Sequence, residues 1–435
     1  MKKIDYAKVD WQDETLWLVR GKRDRLAKSL PEWEKLRDAA SRIKLYSTSH
    51  LPELLDQFET KARANGAIVH WAKDAEEYRR IIGDLLQSHS VKRFVKSKSM
   101  LSEECELRPY LESLGIETVE TDLGERIIQL MGSRPSHIVL PAIHVKREEV
   151  GALFEKEMGT EKGNCDPTYL THAARKNLRE YFLSADAGMT GGNFAVASTG
   201  EVVVCTNEGN ADMGTSLPPL QIAAFGIDKI VPDRESLGVF TRLLARTATG
   251  QPITTYTTHY SAPRPGAEFH IVIVDNGRSR ILADPEHRKL LNCLRCGGCM
   301  NTCPVYRRLG GYAYSYFIPG PVGINLGMMA DPERCKADLS ACSLCHSCSA
   351  LCPAKVDLAE QIYRSRQHYC SSAKKKLLSK GMGFVMGAPW RLETALAAGP
   401  AGMKAMKALG ASWGKGRDFP DIASQKTIKK LRNDK

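Results

Sequence analysis

The chain has 435 residues, enough for two or three domains, and an apolar share ordinary for a globular protein. No stretch approaches the roughly 20 apolar residues that a membrane-crossing helix needs, and the opening MKKIDYAKVDWQDETLW lacks the apolar run of an export signal, so a cytoplasmic protein without an integral membrane span is expected. The net charge of +12 belongs to the tail: Gln361 to Lys435 carries 16 Lys and Arg against 4 Asp and Glu, which leaves the preceding residues neutral.

Residues 11–45 are charged and helix-prone, with Pro31 suited to a first turn after Ser29 and Leu30. Helical spacing then alternates with short apolar runs. A helix over Leu51 to Asn65 leads to a strand at Ala67 to Trp71, and a helix over Ala75 to Leu86 leads to a strand at Arg93 to Val95. A helix over Ser102 to Leu114, closed by Gly115, passes into a strand at Ile116 to Val119. A further strand is predicted at Ser136 to Leu140, then helices near Arg147 to Phe154 and Tyr169 to Ala185. Such alternation predicts an α/β fold with a parallel sheet and helices on its faces. Phe194 to Ala197 and Glu201 to Cys205, joined by Ser198-Thr199-Gly200, read as a hairpin on the edge of that sheet. Ile271 to Val274 and Ser279 to Leu282 read as a second hairpin around Asp275-Asn276-Gly277-Arg278.

After Pro285 the pattern becomes cysteine-rich. Of 13 cysteines, eight fall into two copies of one run, Cys293-x2-Cys296-x2-Cys299-x3-Cys303-Pro304 and Cys342-x2-Cys345-x2-Cys348-x3-Cys352-Pro353. This is the run of bacterial two-cluster ferredoxins, in which the fourth thiolate crosses to the other [4Fe–4S] cluster. Cys293, Cys296, Cys299 and Cys352 would then hold one cluster, and Cys342, Cys345, Cys348 and Cys303 the other. Structural zinc usually pairs two separated knuckles, and disulfide frameworks belong to small secreted domains, so neither accounts for the repeat. Cys105, Cys165, Cys205, Cys335 and Cys370 are scattered and read as buried or incidental thiols; Cys335, between the runs, is the one candidate for a spare ligand or redox thiol.

The chain resembles the lactate-utilisation iron–sulfur proteins, the B subunit of a three-protein L-lactate oxidation system. The residues that carry the resemblance are Lys96-Ser97-Lys98-Ser99-Met100, Glu120-Thr121-Asp122-Leu123-Gly124-Glu125, Pro135-Ser136-His137-Ile138, Pro141-Ala142-Ile143-His144, Asn193-Phe194-Ala195-Val196-Ala197 and Thr206-Asn207-Glu208-Gly209-Asn210. Ala248-Thr249-Gly250-Gln251, Asp275-Asn276-Gly277-Arg278, Gly320-Pro321-Val322-Gly323 and both cysteine runs add to it. The resemblance implies a LUD α/β domain, similar in fold to sugar-phosphate isomerases and formyltetrahydrofolate cyclo-ligases, followed by a mainly helical ferredoxin-like domain with two [4Fe–4S] clusters. It also implies two partner subunits, one cysteine-rich and one with a second LUD domain. The expected divisions are a helical segment over 1–50, the LUD domain over 51–285, the cluster domain over 286–370 and a basic tail over 371–435. The chain departs from the family pattern at Tyr312, where histidine is usual, at His346, where glycine is usual, and at Ser198-Thr199-Gly200-Glu201, usually Glu-Thr-Gly-Thr. None of these removes a cluster ligand.

In the N-terminal domain, glycines at 188, 191, 192, 209 and 214 allow backbone to approach a ligand closely. Lys96 and Lys98 at one strand end, with Asn193, Asn207, Glu208 and Asn210 at others, make a candidate pocket for a small organic acid, since ligands of open α/β sheets bind beyond the carboxyl ends of the strands. His137 and His144 flank an apolar run and read more simply as edge or core histidines than as catalysts, and no catalytic residue is assigned. No dinucleotide, Walker or zinc-protease motif is present, so the expected role is an electron relay within a lactate-oxidising complex. A self-contained organic-acid oxidoreductase is the alternative; a nucleic-acid protein with structural clusters fits less well, because one cluster would serve it. The tail's aromatics, Tyr363, Tyr369, Phe384, Trp390, Trp413 and Phe419, are too dispersed for a nucleic-acid surface. Its charge suits a solvated arm, an acidic partner or peripheral association with a membrane face. Gly381 to Leu409, broken by Pro389 and Pro400, reads as short packed helices.

Overall fold

The computed structural model describes residues 6–369 and 373–408. Of these, the residues up to Ser365 form one compact body, and those from Arg366 on a second. Two long helices open the chain, α1 (Tyr6–Lys28) and α2 (Trp33–Ser49), with Pro31 in the turn before α2 instead of in its first turn. The α/β alternation then runs α3 (Leu51–Ala64), β1 (Ile68–Ala72), α4 (Ala75–Ser88), β2 (Arg93–Lys96), α5 (Met100–Glu104), α6 (Leu107–Ser113), β3 (Glu117–Glu120), α7 (Leu123–Leu130), α8 (Arg147–Met158), α9 (Pro167–Leu183) and β4 (Ala187–Gly191). It continues with β5 (Phe194–Val196), β6 (Glu201–Thr206), α10 (Asn210–Ser216), β7 (Leu220–Gly226), β8 (Ile230–Val231), α11 (Arg234–Ala248), β9 (Tyr256–Tyr260), β10 (Glu268–Val274) and α12 (Arg278–Ala283).

Six strands form a wholly parallel sheet in the order β1-β10-β7-β4-β2-β3. Its central strands, LQIAAFG and EFHIVIV, are near-continuous apolar runs because helices cover both faces. On one face Tyr78, Ile82, Leu86, Leu107 and Leu111 of α4 and α6 pack on Phe94, Ile222 and Val272. On the other, Leu51, Leu55 and Phe58 of α3 pack on Phe225, Ile271 and Ile273. Burying that many large aliphatic and aromatic side chains, at about 1.5–3 kcal/mol each, is the main source of the body's stability.

Four expectations change. The segment expected to be one helix over Ser102 to Leu114 is two, broken where Glu106 takes a left-handed backbone (φ 51°) and Arg79 binds the Cys105 carbonyl at 2.9 Å. Ser136 to Leu140 forms no strand; it is a loop held by its own histidine. Asn276 and Gly277 do turn the chain with positive φ, but the carboxylate of Asp275 accepts hydrogen bonds from Ser279 at both its backbone N–H and its hydroxyl, starting α12 instead of a strand. The β5–β6 hairpin forms as expected, yet it belongs to a second sheet of order β8-β5-β6-β9 rather than to the edge of the first.

The cysteine-rich part is built from short helices: α13 (Gly298–Thr302), α14 (Pro304–Leu309), α15 (Gly320–Ala330), α16 (Pro332–Cys335), α17 (Ser347–Leu351) and α18 (Leu358–Tyr369). The first two helices of the chain fasten it to the sheet domain. Arg23 of α1 donates to the Leu351 carbonyl, Arg37 of α2 donates to the Ala350 and Cys352 carbonyls, and Lys44, further along α2, donates to the Asp228 carbonyl after β7. In the second body, α19 (Ala373–Met386) and α20 (Pro389–Ala408) expose Leu377, Met382, Phe384 and Trp390. Pro389 opens α20, whereas Pro400 lies inside it. Cys370, Trp413, Phe419 and the tail from residue 409 on lie outside the described residues.

Gly200 in the β5–β6 turn has φ +73°, and a Cβ there would stand 2.3 Å from the Ala62 nitrogen at the end of α3. Gly200→Ala is therefore expected to lower apparent stability by about 2–4 kcal/mol, read by denaturant unfolding; a change within about 0.5 kcal/mol would show that the turn can move away from α3.

Candidate functional site

A cavity of about 330 Å³ opens beyond the carboxyl ends of β2, β4 and β7. Its floor is Gly191, Gly192 and Asn193 after β4, and one side is Ser97, Lys98 and Ser99 after β2. Thr206, Asn207, Glu208 and Asn210 close another side, and Leu244, Ala245 and Ala248 of α11 give an apolar wall. The remaining wall comes from the first cysteine run: Leu294, Arg295 and Cys296. One cavity thus touches both the sheet domain and a cluster loop.

Five of the six candidate pocket residues line this cavity, and their hydrogen bonds separate scaffold from free surface. Asn193 accepts from the Cys205 N–H at 2.8 Å, and Asn207 spans to Gln251 (2.8 Å) and Thr255 (3.2 Å), so both brace the wall. Asn210 is nearly buried against Thr121 and Thr206. Lys98 donates to the Val139 carbonyl at 3.0 Å and pairs with Asp122 at 3.4 Å, while Glu208 is exposed at the rim. Lys96 is not on the wall. It is 1 % exposed, and its ammonium is committed to Glu120 at 2.6 Å and Glu103 at 3.5 Å.

Basic residues that the motif reading passed over complete the site. Gly226 ends β7, and Asp228 and Lys229 follow it in a buried turn. Arg278 gives Asp228 a 2.7 Å hydrogen bond and grips both oxygens of Glu104 at 3.0 and 2.9 Å. Asp228 is buried, yet Lys229 and Arg278 hold its carboxyl well below the usual range. Burial pushes Lys44 down to about 8 against the pull of Asp228, and lowers Lys229 as well. The sequence signal was available: Ile227-Asp228-Lys229 directly follows an apolar strand, in the same setting as Lys98.

The two cysteine runs fold alike. Arg295 and Leu344, two residues after the first cysteine of each run, are both left-handed (φ 58° and 55°). So are Gly297 and His346, directly after the second (73° and 59°). The glycine expected at 346 is explained by that backbone, which histidine tolerates better than most side chains. Backbone N–H groups point at sulfur in both: Arg295 to Cys293 and Tyr306 to Cys303 at 3.4 Å, Leu344 to Cys342 and Val356 to Cys352 at 3.3 Å. Burial pushes the Cys296 thiol up to about 12, with Cys293 and Cys352 adding to it, and the Cys348 thiol up to about 12, with Cys303 and Cys342 adding to it. Cys303 in turn feels Cys342 and Cys345.

These thiols fit iron–sulfur clusters: buried sulfurs that resist ionising alone are stabilised as thiolates by iron and by N–H donors. Among the described residues no three His, Cys, Asp or Glu side chains converge as ligands of a single ion. A cube gives each thiolate its own iron, so its ligands stand apart. Cys335 lies buried against Gly327, and Cys205 lines the cavity.

The two histidines act at the seam between the halves. His137 Nδ1 accepts from the N–H groups of Val139 and Leu140, both at 3.0 Å, and Nε2 meets Asn301 Oδ1 at 3.0 Å. Tyr312, where histidine was expected, donates to the Arg134 carbonyl at 2.7 Å and lies 2.9 Å from His144 Nε2.

The LUD domain family matches residues 55–282, and the 4Fe-4S dicluster domain family matches residues 289–356. Lactate utilization protein B of Oceanobacillus iheyensis is 38 % identical over 427 residues, covering 92 % of this chain and 87 % of that protein. The chain belongs to the lactate utilization protein B family. A member from Shouchella clausii is 40 % identical over 374 residues, covering 83 % of this chain and 78 % of its own. An Escherichia coli K12 protein described as the uncharacterized electron transport protein YkgF is 42 % identical over 356 residues, covering 80 % and 74 %. The dicluster match and the eight cysteines identify two [4Fe–4S] clusters as the cofactors. No helix among the described residues is long and apolar enough to cross a membrane.

Lys96 is one ammonium among Glu120, Glu103 and the 4 %-exposed Glu125 of α7, so a proton is retained. Burial, then Glu120 and Glu103, push the Glu125 carboxyl up to about 8. Its folded form keeps a proton that the unfolded chain releases near pH 4–5, so stability is full in acid and declines as pH rises toward 8. Glu125→Gln is expected to flatten that decline by up to about 1.4 kcal/mol per pH unit, measured as unfolding free energy between pH 5 and 8; parallel profiles would place the proton elsewhere.

Proposed function

We propose that this protein is the iron–sulfur electron-transfer subunit of a multi-subunit L-lactate oxidation system. Its ligand sets are Cys293, Cys296, Cys299 and Cys352 for one cluster and Cys342, Cys345, Cys348 and Cys303 for the other. Support for the crossed sets is the company each fourth thiol keeps: Cys303 with Cys342 and Cys345, and Cys352 with Cys293 and Cys296. The relatives named lactate utilization protein B and an electron transport protein support the system and the role. The expected partners are a cysteine-rich subunit and a second LUD-domain subunit, working in the cytoplasm.

The observation that carries the reading is the cavity wall shared by Lys98, Asn193 and Cys296. Oxidation of a 2-hydroxy acid to a 2-keto acid yields two electrons and two protons, and each [4Fe–4S] cluster takes one electron. The protein's own residues shelter the cavity from water with Phe225, Leu244 and Ala245, and place basic groups at its ends. No nicotinamide or flavin motif occurs in the sequence, so abstraction of the substrate's hydrogen is assigned to a partner subunit. The same shared wall favours a second reading, in which this chain alone oxidises the acid. L-lactate turnover by the purified, cluster-loaded chain with an artificial acceptor separates the two: the relay predicts turnover only after the partner subunits are added, and turnover by the chain alone would establish the second.

Crossed ligation makes its own prediction. Cys303→Ser should convert to a three-iron form the same EPR signal that Cys348→Ser perturbs, and leave intact the signal perturbed by Cys299→Ser. Loss of the Cys299-dependent signal in Cys303→Ser would refute the crossing.

A further inference from the structure

We infer that Lys229 and Arg295 form a subsite for the carboxylate of a small organic acid, at the end of the cavity nearest the first cysteine run. The inference deepens the proposed function, on which it rests for the class of acid, and names residues that neither the cysteine motifs nor the glycine-rich loops indicate.

Two donors on the cavity wall lack hydrogen-bond partners: Lys229 Nζ and Arg295 Nη1 are shut off from solvent, and Lys229 has only an ion pair, 3.4 Å from Asp228. Buried donors, charged ones above all, are normally satisfied, so an orphaned pair on one wall marks a place where an acceptor belongs. Glu104 receives two hydrogen bonds from Arg278, and Asp228 receives one from Arg278 on Oδ1; its Oδ2 accepts no hydrogen bond and stands 3.4 Å from Lys229 as an ion pair, so one carboxylate oxygen is left to serve the two donors. Lys44, behind the turn, adds a fourth cation, so four cations meet two carboxylates. Part of that surplus faces the Cys293 thiolate. The carboxylates on the cavity wall are Glu104, held by Arg278, Asp122, paired with Lys98, and Glu208.

Shape agrees with charge. A volume of about 330 Å³ lies at the small end of ligand cavities, and Phe225, Leu244 and Ala245 face it with hydrocarbon fit for a short carbon chain. A guanidinium and an ammonium on the wall of one cavity suit the two oxygens of a carboxylate. With its carboxylate held there, an acid's next carbon would lie toward Cys296 and the first cluster loop.

The test is calorimetric titration of the oxidised, cluster-loaded protein with pyruvate, L-lactate and the neutral L-lactamide. Pyruvate or L-lactate should bind and L-lactamide should not. Lys229→Met should weaken binding of the acid roughly tenfold to a hundredfold, and Lys229→Arg should restore most of it. The inference is overturned if neither acid binds, if the amide binds as well as the acid, or if Lys229→Met binds like the wild type. The last result, accompanied by a shifted cluster potential, would assign the cations to the cluster alone. Comparing acid with amide needs no variant, so the inference stays testable where Lys229→Met fails to hold its clusters. Failure of binding with both cluster EPR signals intact refutes the subsite and spares the electron-transfer role; absence of reducible clusters refutes that role, while acid binding still decides the subsite.

Discussion

His137 takes hydrogen bonds from two backbone N–H groups on Nδ1, which leaves its single proton on Nε2 to offer to Asn301, and Asn301 passes its own amide hydrogen to the Ala248 carbonyl at 3.2 Å. That chain runs from a loop of the sheet domain, through α13 between Cys299 and Cys303, to the end of α11. Burial pushes His137 down to about 4, so it stays neutral and keeps this one tautomer at physiological pH. Close packing depends on the same contact: Gly297 has φ +73°, and a Cβ there would stand 2.9 Å from the His137 ring. The position of the first cysteine run over the cavity follows from these constraints, and α1 and α2 hold the other side of the cluster region through Arg23 and Arg37.

Much of the fold was legible because its signals are local. Strands β1 to β3 and the helices between them are sequence-visible, and the cysteine spacing carries the cofactor outright, whereas β4 (AGMTG) and β7 were not among the expected strands. What was not legible depended on partners far away in the chain. Ser136 to Leu140 looks like a strand by composition, but its backbone N–H groups go to a histidine ring and its Ser136 carbonyl accepts from Tyr306 at 2.7 Å. Asn276-Gly277 is a turn in either reading, and only the Asp275 carboxylate, capping Ser279, makes a helix follow it.

Legibility of the site divides in the same way. Lys96 and Lys98 are equivalent by spacing, yet Lys96 is the last residue of β2 and is buried against Glu120, whereas Lys98 lies in the loop that follows and reaches the cavity rim. Lys229 and Arg295 belong to different sequence neighbourhoods, one after β7 and one inside a cluster loop, and meet only because the two halves share a wall. His346 stands where its repeat partner has Gly297, and the matching left-handed backbone shows why glycine is the natural occupant.

The central claim is that the organic-acid cavity lies directly against the cluster held by the first cysteine run. The most direct measurement is electron–nuclear double resonance on the reduced, cluster-loaded protein with pyruvate carrying carbon-13. The account predicts a carbon-13 coupling on one cluster signal, the one perturbed by Cys299→Ser, and none on the other. Bound pyruvate with no coupling to either cluster, or coupling only to the cluster of the second run, would contradict it.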